Sequence, residues 1–280
     1  MATTTTTILD EITKEVFERY VPAAKMPERN SSVFNRLESS LKAAYHDLVN
    51  NIISPDFENK ITENDILKHR CMRVVCLDAF ARTCRSLDVV LTATGFGIVS
   101  TESLAPASKA RVDALIEQIT IEEIETIDNI VFDHLTGVEG WGITEQARTR
   151  IPTLFFRFTQ LRHTSLSLTT QDWAKAKAAA LSADALLRRE ISDEYMDELL
   201  LKLRTRAGSF EDVLFALDLQ NFIYTFISEG VPNKFQLQQI VDKLESNIER
   251  YPTYKSSKLY AKRHAERYQN KREDPTFFCM

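Results

Sequence analysis

Thr62 to Ser100 reads TENDILKHRCMRVVCLDAFARTCRSLDVVLTATGFGIVS. Its first two thirds carry apolar residues around most of a helical circumference: Ile66, Met72, Val75, Ala79 and Phe80, with no alternation. A helix apolar on so many sides belongs at the centre of a bundle. The last third changes character. Asp88 to Ser100 is β-branched and alternating and holds Gly95 and Gly97, which predicts a β-hairpin turning near 94–97. Two strands are marginal by themselves, so the hairpin is expected to pack on the bundle or pair with another chain.

The flanking sequence continues the helical pattern. Ile8 to Tyr20 is expected to form one amphipathic helix. Ser31 or Ser32 caps a second helix to about Asn51, with the stripe Phe34, Leu37, Leu41, Ala44, Tyr45, Leu48 and Ile52. Pro106 opens a further helix to Ile119, followed by Ile121, Ile124, Ile127 and Ile130 at near-helical spacing. Thr136 to Ile143, TGVEGWGI, carries three glycines near the middle of the chain and reads as the loop between halves. Ile151 to Leu161 is compatible with either helix or strand. Helices are expected around 173–190 with Thr170 as cap, and over 193–206, 210–228, 234–251 and 257–271. Gly208 and Gly230 stand where left-handed helix ends favour glycine.

These readings give a mainly α fold, helical bundles with one β-hairpin. The expected organisation is an N-terminal bundle over 1–135 with the hairpin at 88–100, a second bundle over 144–251, and a basic C-terminal helix and tail over 252–280. A weak duplication links the halves. Ile53-Ser-Pro-Asp-Phe57 and Ile191-Ser-Asp-Glu-Tyr195 match in register at an offset of 138, each after a helix.

Composition narrows the function. Only 7 glycines and 8 prolines occur in 280 residues, too few for turn-rich β folds or a glycine-cradled nucleotide site. The 44% apolar content is enough for a core. No signal peptide or 18-residue apolar run is visible, so the chain is read as made in the cytosol, with no membrane partner. Cys71, Cys76, Cys84 and Cys279 match no metal spacing and no disulfide framework, and are read as reduced thiols packing as small hydrophobes. His46, His69, His134, His163 and His264 form no ligand pair, and Thr94-Gly-Phe-Gly97 lacks the rest of a phosphate loop. No catalytic residue, cofactor or metal is expected.

The formal net charge is −5, from 35 Lys and Arg against 40 Asp and Glu, unsuited to a surface built wholly for nucleic acid. The charge is uneven. Asp113 to Gln146 contains nine acidic residues and no Lys or Arg, and Arg250 to Asp274 contains eight basic residues against three acidic ones. In the latter, Lys258, Lys262, Arg263, Arg267, Lys271 and Arg272 interleave with Tyr254, Tyr260 and Tyr268, a pattern suited to a nucleic acid or an acidic protein surface. Phe277 and Phe278 follow. Such a pair either anchors in a partner's groove or docks back onto its own bundle.

Leu91 to Ser100 (LTATGFGIVS), then Leu104-Ala-Pro-Ala-Ser-Lys109, resembles an uncharacterised family found in Bacteroidales phages and prophages. The preceding Asp78-Ala-Phe80 and Leu87-Asp-Val-Val-Leu91 share in the resemblance, as do Tyr260, His264, Asn270 and Phe277-Phe278. That family is similar to phage head-tail connector (adaptor) proteins. The resemblance implies a non-enzymatic virion structural protein that assembles as a ring of its own copies and docks on portal or neck proteins. Its place would be the bacterial cytoplasm when made and the virion neck afterwards. The oligomer hairpin would use Val89, Leu91, Thr94, Gly95, Phe96, Gly97 and Ile98. The docking arm would use Lys258, Lys262, Arg263, Arg267, Phe277 and Phe278. The acidic stretch 113–146 would face a neighbour or the lumen. The alternative is a nucleic-acid-associated or host protein-interaction protein acting through the basic C-terminal helix.

Overall fold

The computed structural model describes residues 7–24, 31–86, 89–92, 95–98 and 108–265. The architecture is mainly helical. In chain order the helices are α1 (Ile8–Glu11), α2 (Lys14–Tyr20), α3 (Ser31–Leu48), α4 (Lys60–Glu63), α5 (Asp65–Thr83) and α6 (Lys109–Asn129). They are followed by α7 (Glu145–Arg150), α8 (Thr170–Ile191), α9 (Asp193–Thr205), α10 (Phe210–Glu229), α11 (Lys234–Ser246), α12 (Pro252–Lys255) and α13 (Lys258–Arg263). Between α5 and α6, β1 (Val89–Thr92) runs antiparallel to β2 (Gly95–Ile98), placing Val89 opposite Ile98 and Leu91 opposite Phe96.

Two apolar clusters organise these elements. The first gathers α1 to α6 around α5, whose Cys71, Met72, Val75, Cys76, Ala79 and Phe80 are all buried. Burial pushes the Cys71 and Cys76 thiols up to about 12, so they pack as neutral groups. The second gathers α8 to α12 around Leu187, Tyr195, Phe215, Leu219, Phe222 and Tyr254. Leu203 packs on both, and Ile121 and Ile124 of α6 pack on the second.

Several local expectations need correction. The first helix is two helices, because Thr13 accepts the Val16 N–H at 3.4 Å and starts α2 afresh. The long third helix starts at Asp65, within the expected Thr62–Asp65 opening, where the Asn64 side chain accepts the Leu67 N–H at 3.0 Å, but it ends at Thr83 rather than near 87. The two isoleucine-rich segments form one helix, α6, which starts after Ser108. Residues 158–163 form a 3-10 helix, neither an α-helix nor a strand. Thr169, rather than Thr170, caps α8. The helix expected to reach Tyr251 ends at Ser246, and a 3-10 turn over Ile248–Arg250 follows it. Of the expected 257–271 helix, Lys258–Arg263 is α13, and 266–271 lies outside the described residues.

The glycine-rich stretch is more than a connecting loop. It folds into two 3-10 turns, Leu135–Gly137 and Trp141–Ile143, and Trp141 is fully buried in the first cluster. The reason lies at the end of α3, which widens into a π-helical turn over Val49–Ile53. Its carbonyls accept side-chain donors from the later segment: Trp141 Nε1 to Ile52 O at 3.3 Å, Gln146 Nε2 to Asn50 O at 2.8 Å, and Arg150 Nε to Asn51 O at 3.2 Å. Gly142 is needed for close approach. A Cβ there would stand 2.8 Å from the Arg204 carbonyl oxygen and 2.6 Å from the Thr205 methyl.

Ser54 and Ser192, the matched serines of the weak duplication, both take positive φ, 77° and 144°. Both are buried, each just beyond the isoleucine that ends its long helix. A non-glycine residue held there costs of order 1–3 kcal/mol, offset by the packing on either side. The third such residue is Arg206, φ 53°, which ends α9. It takes the left-handed role that the sequence assigned to Gly208, whereas Gly230 ends α10 as expected at φ 73°.

Candidate interaction surfaces

The C-terminal arm is rooted in the second cluster. Tyr254 is fully buried and its ring meets Tyr260 edge-on at 5.5 Å. Ser257 caps α13 by accepting the Tyr260 N–H at 3.1 Å. Arg263 does not present its charge to solvent as the docking reading expected. Its guanidinium donates to Glu190 at 2.9 Å and to the Tyr254 hydroxyl at 3.1 Å. His264 stands 3.6 Å from Glu245. Lys258 and Lys262 are exposed on the same short helix. Arg267, Phe277 and Phe278 lie outside the described residues, as does Thr94 of the hairpin. The structure places Val89, Leu91, Gly95, Phe96, Gly97 and Ile98 in the paired strands.

Part of the acidic stretch makes contacts within the chain. Glu117 accepts both the N–H and the hydroxyl of Thr170 at 2.7 Å, a carboxylate at the start of the 22-residue helix α8. Glu122 pairs with Arg73 at 3.1 Å, Asp133 with Arg70 at 2.6 Å, and Asp113 with Arg85 at 3.0 Å. Asp128 accepts the Phe158 N–H at 2.6 Å. At these five positions each carboxylate finds a donor within its own chain.

Glu123 and Asp128 are the electrostatic anomaly. Burial pushes the Glu123 carboxyl up to about 7, with Asp78 adding to the rise and Arg82 and Arg150 opposing it. Burial likewise pushes Asp128 up to about 7, against the Phe158 N–H and the charges of Arg157 and Arg150. Asp128 and Arg150 line a cleft of about 370 Å³ with Phe155, Phe156, Trp173 and Lys177. The cleft sits where residues of the two clusters meet. Sequence reasoning missed this pair because helical periodicity places a carboxylate on a face without saying which face a later segment covers.

An apolar groove lies beside α10. It has a volume of about 420 Å³ and is lined by Phe132, Leu154, Leu199, Leu203, Val213 and Ala216. Lys202, Arg206 and Asp212 edge it. Arg206 is held by Thr136 Oγ1 at 2.8 Å and by the Phe132 carbonyl. Outward of the groove, Phe210, Val213, Leu214 and Leu217 are exposed, Phe210 by 75%. Their i, i+3, i+4, i+7 spacing was legible in the sequence, but it runs alongside the buried stripe of the same helix and merges with it on paper.

Among the described residues no group of three or more His, Cys, Asp or Glu could hold a metal ion. Among them, too, no helix is long and apolar enough to cross a membrane. His134 accepts from Arg70 at 3.0 Å, and burial beside that guanidinium lowers its pKa.

Residues 31–131, from α3 into the π-helical turn after α6, match a family of unknown function, DUF6712. No curated protein matches the chain, and no solved structure does.

Proposed function

We propose that this chain is a non-enzymatic assembly protein of the head-tail connector type. It builds a ring from its own copies and docks on a portal or neck protein through its C-terminal arm. Its place is the bacterial cytoplasm when made and the virion neck once assembled. The observation that carries the reading is the pairing of a rooted arm with an unpartnered apolar stripe. Lys258 and Lys262 stand exposed on a helix fixed by Arg263 and Tyr254, while Phe210, Val213, Leu214 and Leu217 face outward on α10. Rigid basic and apolar surfaces of this kind support specific contact with other chains. The hairpin over 89–98 adds a second self-association element, since an isolated two-stranded ribbon gains stability by pairing.

Light scattering of the full chain, alone and with the portal protein of the same genome, tests this. A multi-copy complex formed with the portal, and weakened by Lys258→Glu with Lys262→Glu, is the expected result. A monomer that ignores the portal overturns it. The exposed lysines also favour a second reading, nucleic-acid association. That reading requires DNA affinity that falls steeply with salt and is lost in the same double variant.

A further inference from the structure

We propose that the cleft between α6, α8 and residues 149–156 binds a small aromatic carboxylate, with Arg150 and Lys177 answering the acid group and Phe155, Phe156 and Trp173 receiving the ring. Such a site is independent of the assembly role.

The cleft has three walls. α6 supplies Asp128, and α8 supplies Trp173 and Lys177, one turn apart on the same helical face. The third wall is the segment that carries Arg150, Phe155 and Phe156. Phe156 belongs to the first apolar cluster, and Phe155 and Trp173 belong to the second. The volume of about 370 Å³ lies at the lower end of the range of ligand pockets, which suits a ligand of one or two rings. The aromatic wall is fixed before any ligand arrives. Thr153 Oγ1 donates to the Phe155 carbonyl at 3.0 Å and accepts the Phe155 N–H at 3.1 Å. Gln160 Oε1 accepts the Phe156 and Arg157 N–H groups at 2.8 Å, and Gln160 Nε2 donates to the Leu154 carbonyl at 3.0 Å. The Phe155 ring stands 5.3 Å from that of Trp173. A pocket held in shape by its own scaffold loses little entropy on binding.

Charge selects the ligand. Arg150 Nε is committed to the Asn51 carbonyl at 3.2 Å, and its two terminal nitrogens make no hydrogen bond or ion pair among the described residues. Burial lowers the Arg150 pKa, with Asp128 and Glu123 opposing the shift, so an anion there would relieve an incompletely answered charge. Lys177 Nζ lies 5.3 Å from the centre of the Trp173 ring and makes no ion pair among the described residues. Against these two cations the cleft sets one carboxyl, Asp128, which already accepts the Phe158 N–H at 2.6 Å. A planar guanidinium fits both oxygens of a carboxylate. A dianion would turn its second charge against Asp128, so a single negative charge fits best.

Calorimetric titration of the full chain with benzoate, phenylacetate and 2-naphthoate tests the proposal. At least one of these acids is expected to bind once per chain, and its amide at least about tenfold more weakly. Arg150→Lys keeps the charge but loses the fork, and should weaken binding about tenfold. Lys177→Gln alters an exposed side chain, so the unfolding temperature should stay unchanged while binding weakens about threefold. It keeps the test decisive even if the Arg150 variant fails to fold. No binding of any of the three acids at millimolar concentration, an amide as tight as its acid, or an affinity unaltered in Lys177→Gln overturns the proposal.

Discussion

α5 and α10 are both long, apolar helices, and their surroundings differ. α5 is enclosed by α2, α3 and α6, and almost every apolar side chain it carries is buried. α10 packs mainly on α8 and α11, and Phe210, Val213, Leu214 and Leu217 of its outer stripe are exposed. The same composition thus makes a core in one region and a surface in the other. The number of neighbouring helices, rather than the sequence of the helix, separates the two.

The largest expected effects test whether the inner faces are equivalent. Phe222→Ala in α10 and Leu77→Ala in α5 remove fully packed side chains. They should cost about 3–5 and about 2–5 kcal/mol respectively in denaturant unfolding. A much smaller loss for Phe222→Ala would make α10 peripheral throughout.

The next test concerns pH at the seam. Glu123 and Asp128 have folded pKa values near 7, above their unfolded values, so the native state holds more protons between about pH 4.5 and 7. Their contribution therefore favours folding in acid, is lost as pH rises through 7, and is absent at pH 8. Glu123→Gln should flatten that part of the stability profile and raise stability at pH 8 by about 2–3 kcal/mol. An unchanged profile would mean that this carboxyl is solvated.

Gly142→Ala sharpens the contact between the clusters. The added methyl meets the Arg204 backbone, so a loss of about 1–3 kcal/mol in thermal unfolding is expected. Arg206→Ala removes the anchors on Phe132 and Thr136 while keeping the left-handed backbone, for about 1–2 kcal/mol. Arg206→Gly should be milder by about 1 kcal/mol, because glycine holds positive φ without strain.

The smallest effect is on the outer face. Leu214→Ser and Phe210→Ser should change unfolding free energy by no more than about 0.5 kcal/mol each, while altering dye binding and association. A large loss of stability there would show that the stripe is covered by the chain itself.

Much of the helical layout was legible. The stripes of α3 and α5, the boundaries of α9 and α10 within a residue or two, and Gly230 at a helix end all followed from periodicity and capping chemistry. Boundaries slipped where a cap competed with continued periodicity, as at Thr13. The candidate surfaces were legible only in composition. Arg263 looked like part of a free basic face until Glu190, 73 positions earlier, appeared beside it.

The sequence by itself determined that this chain is helical, that α5 is central, and that its thiols pack as hydrophobes, because these depend on near neighbours at helical spacing. Only the tertiary structure decided that Trp141 is core rather than linker, that Glu117 answers the start of α8, and that α10 keeps an apolar stripe exposed. Each of those turns on a partner far away in sequence, and local pattern carries no record of which distant segment arrives to bury a face or answer a charge.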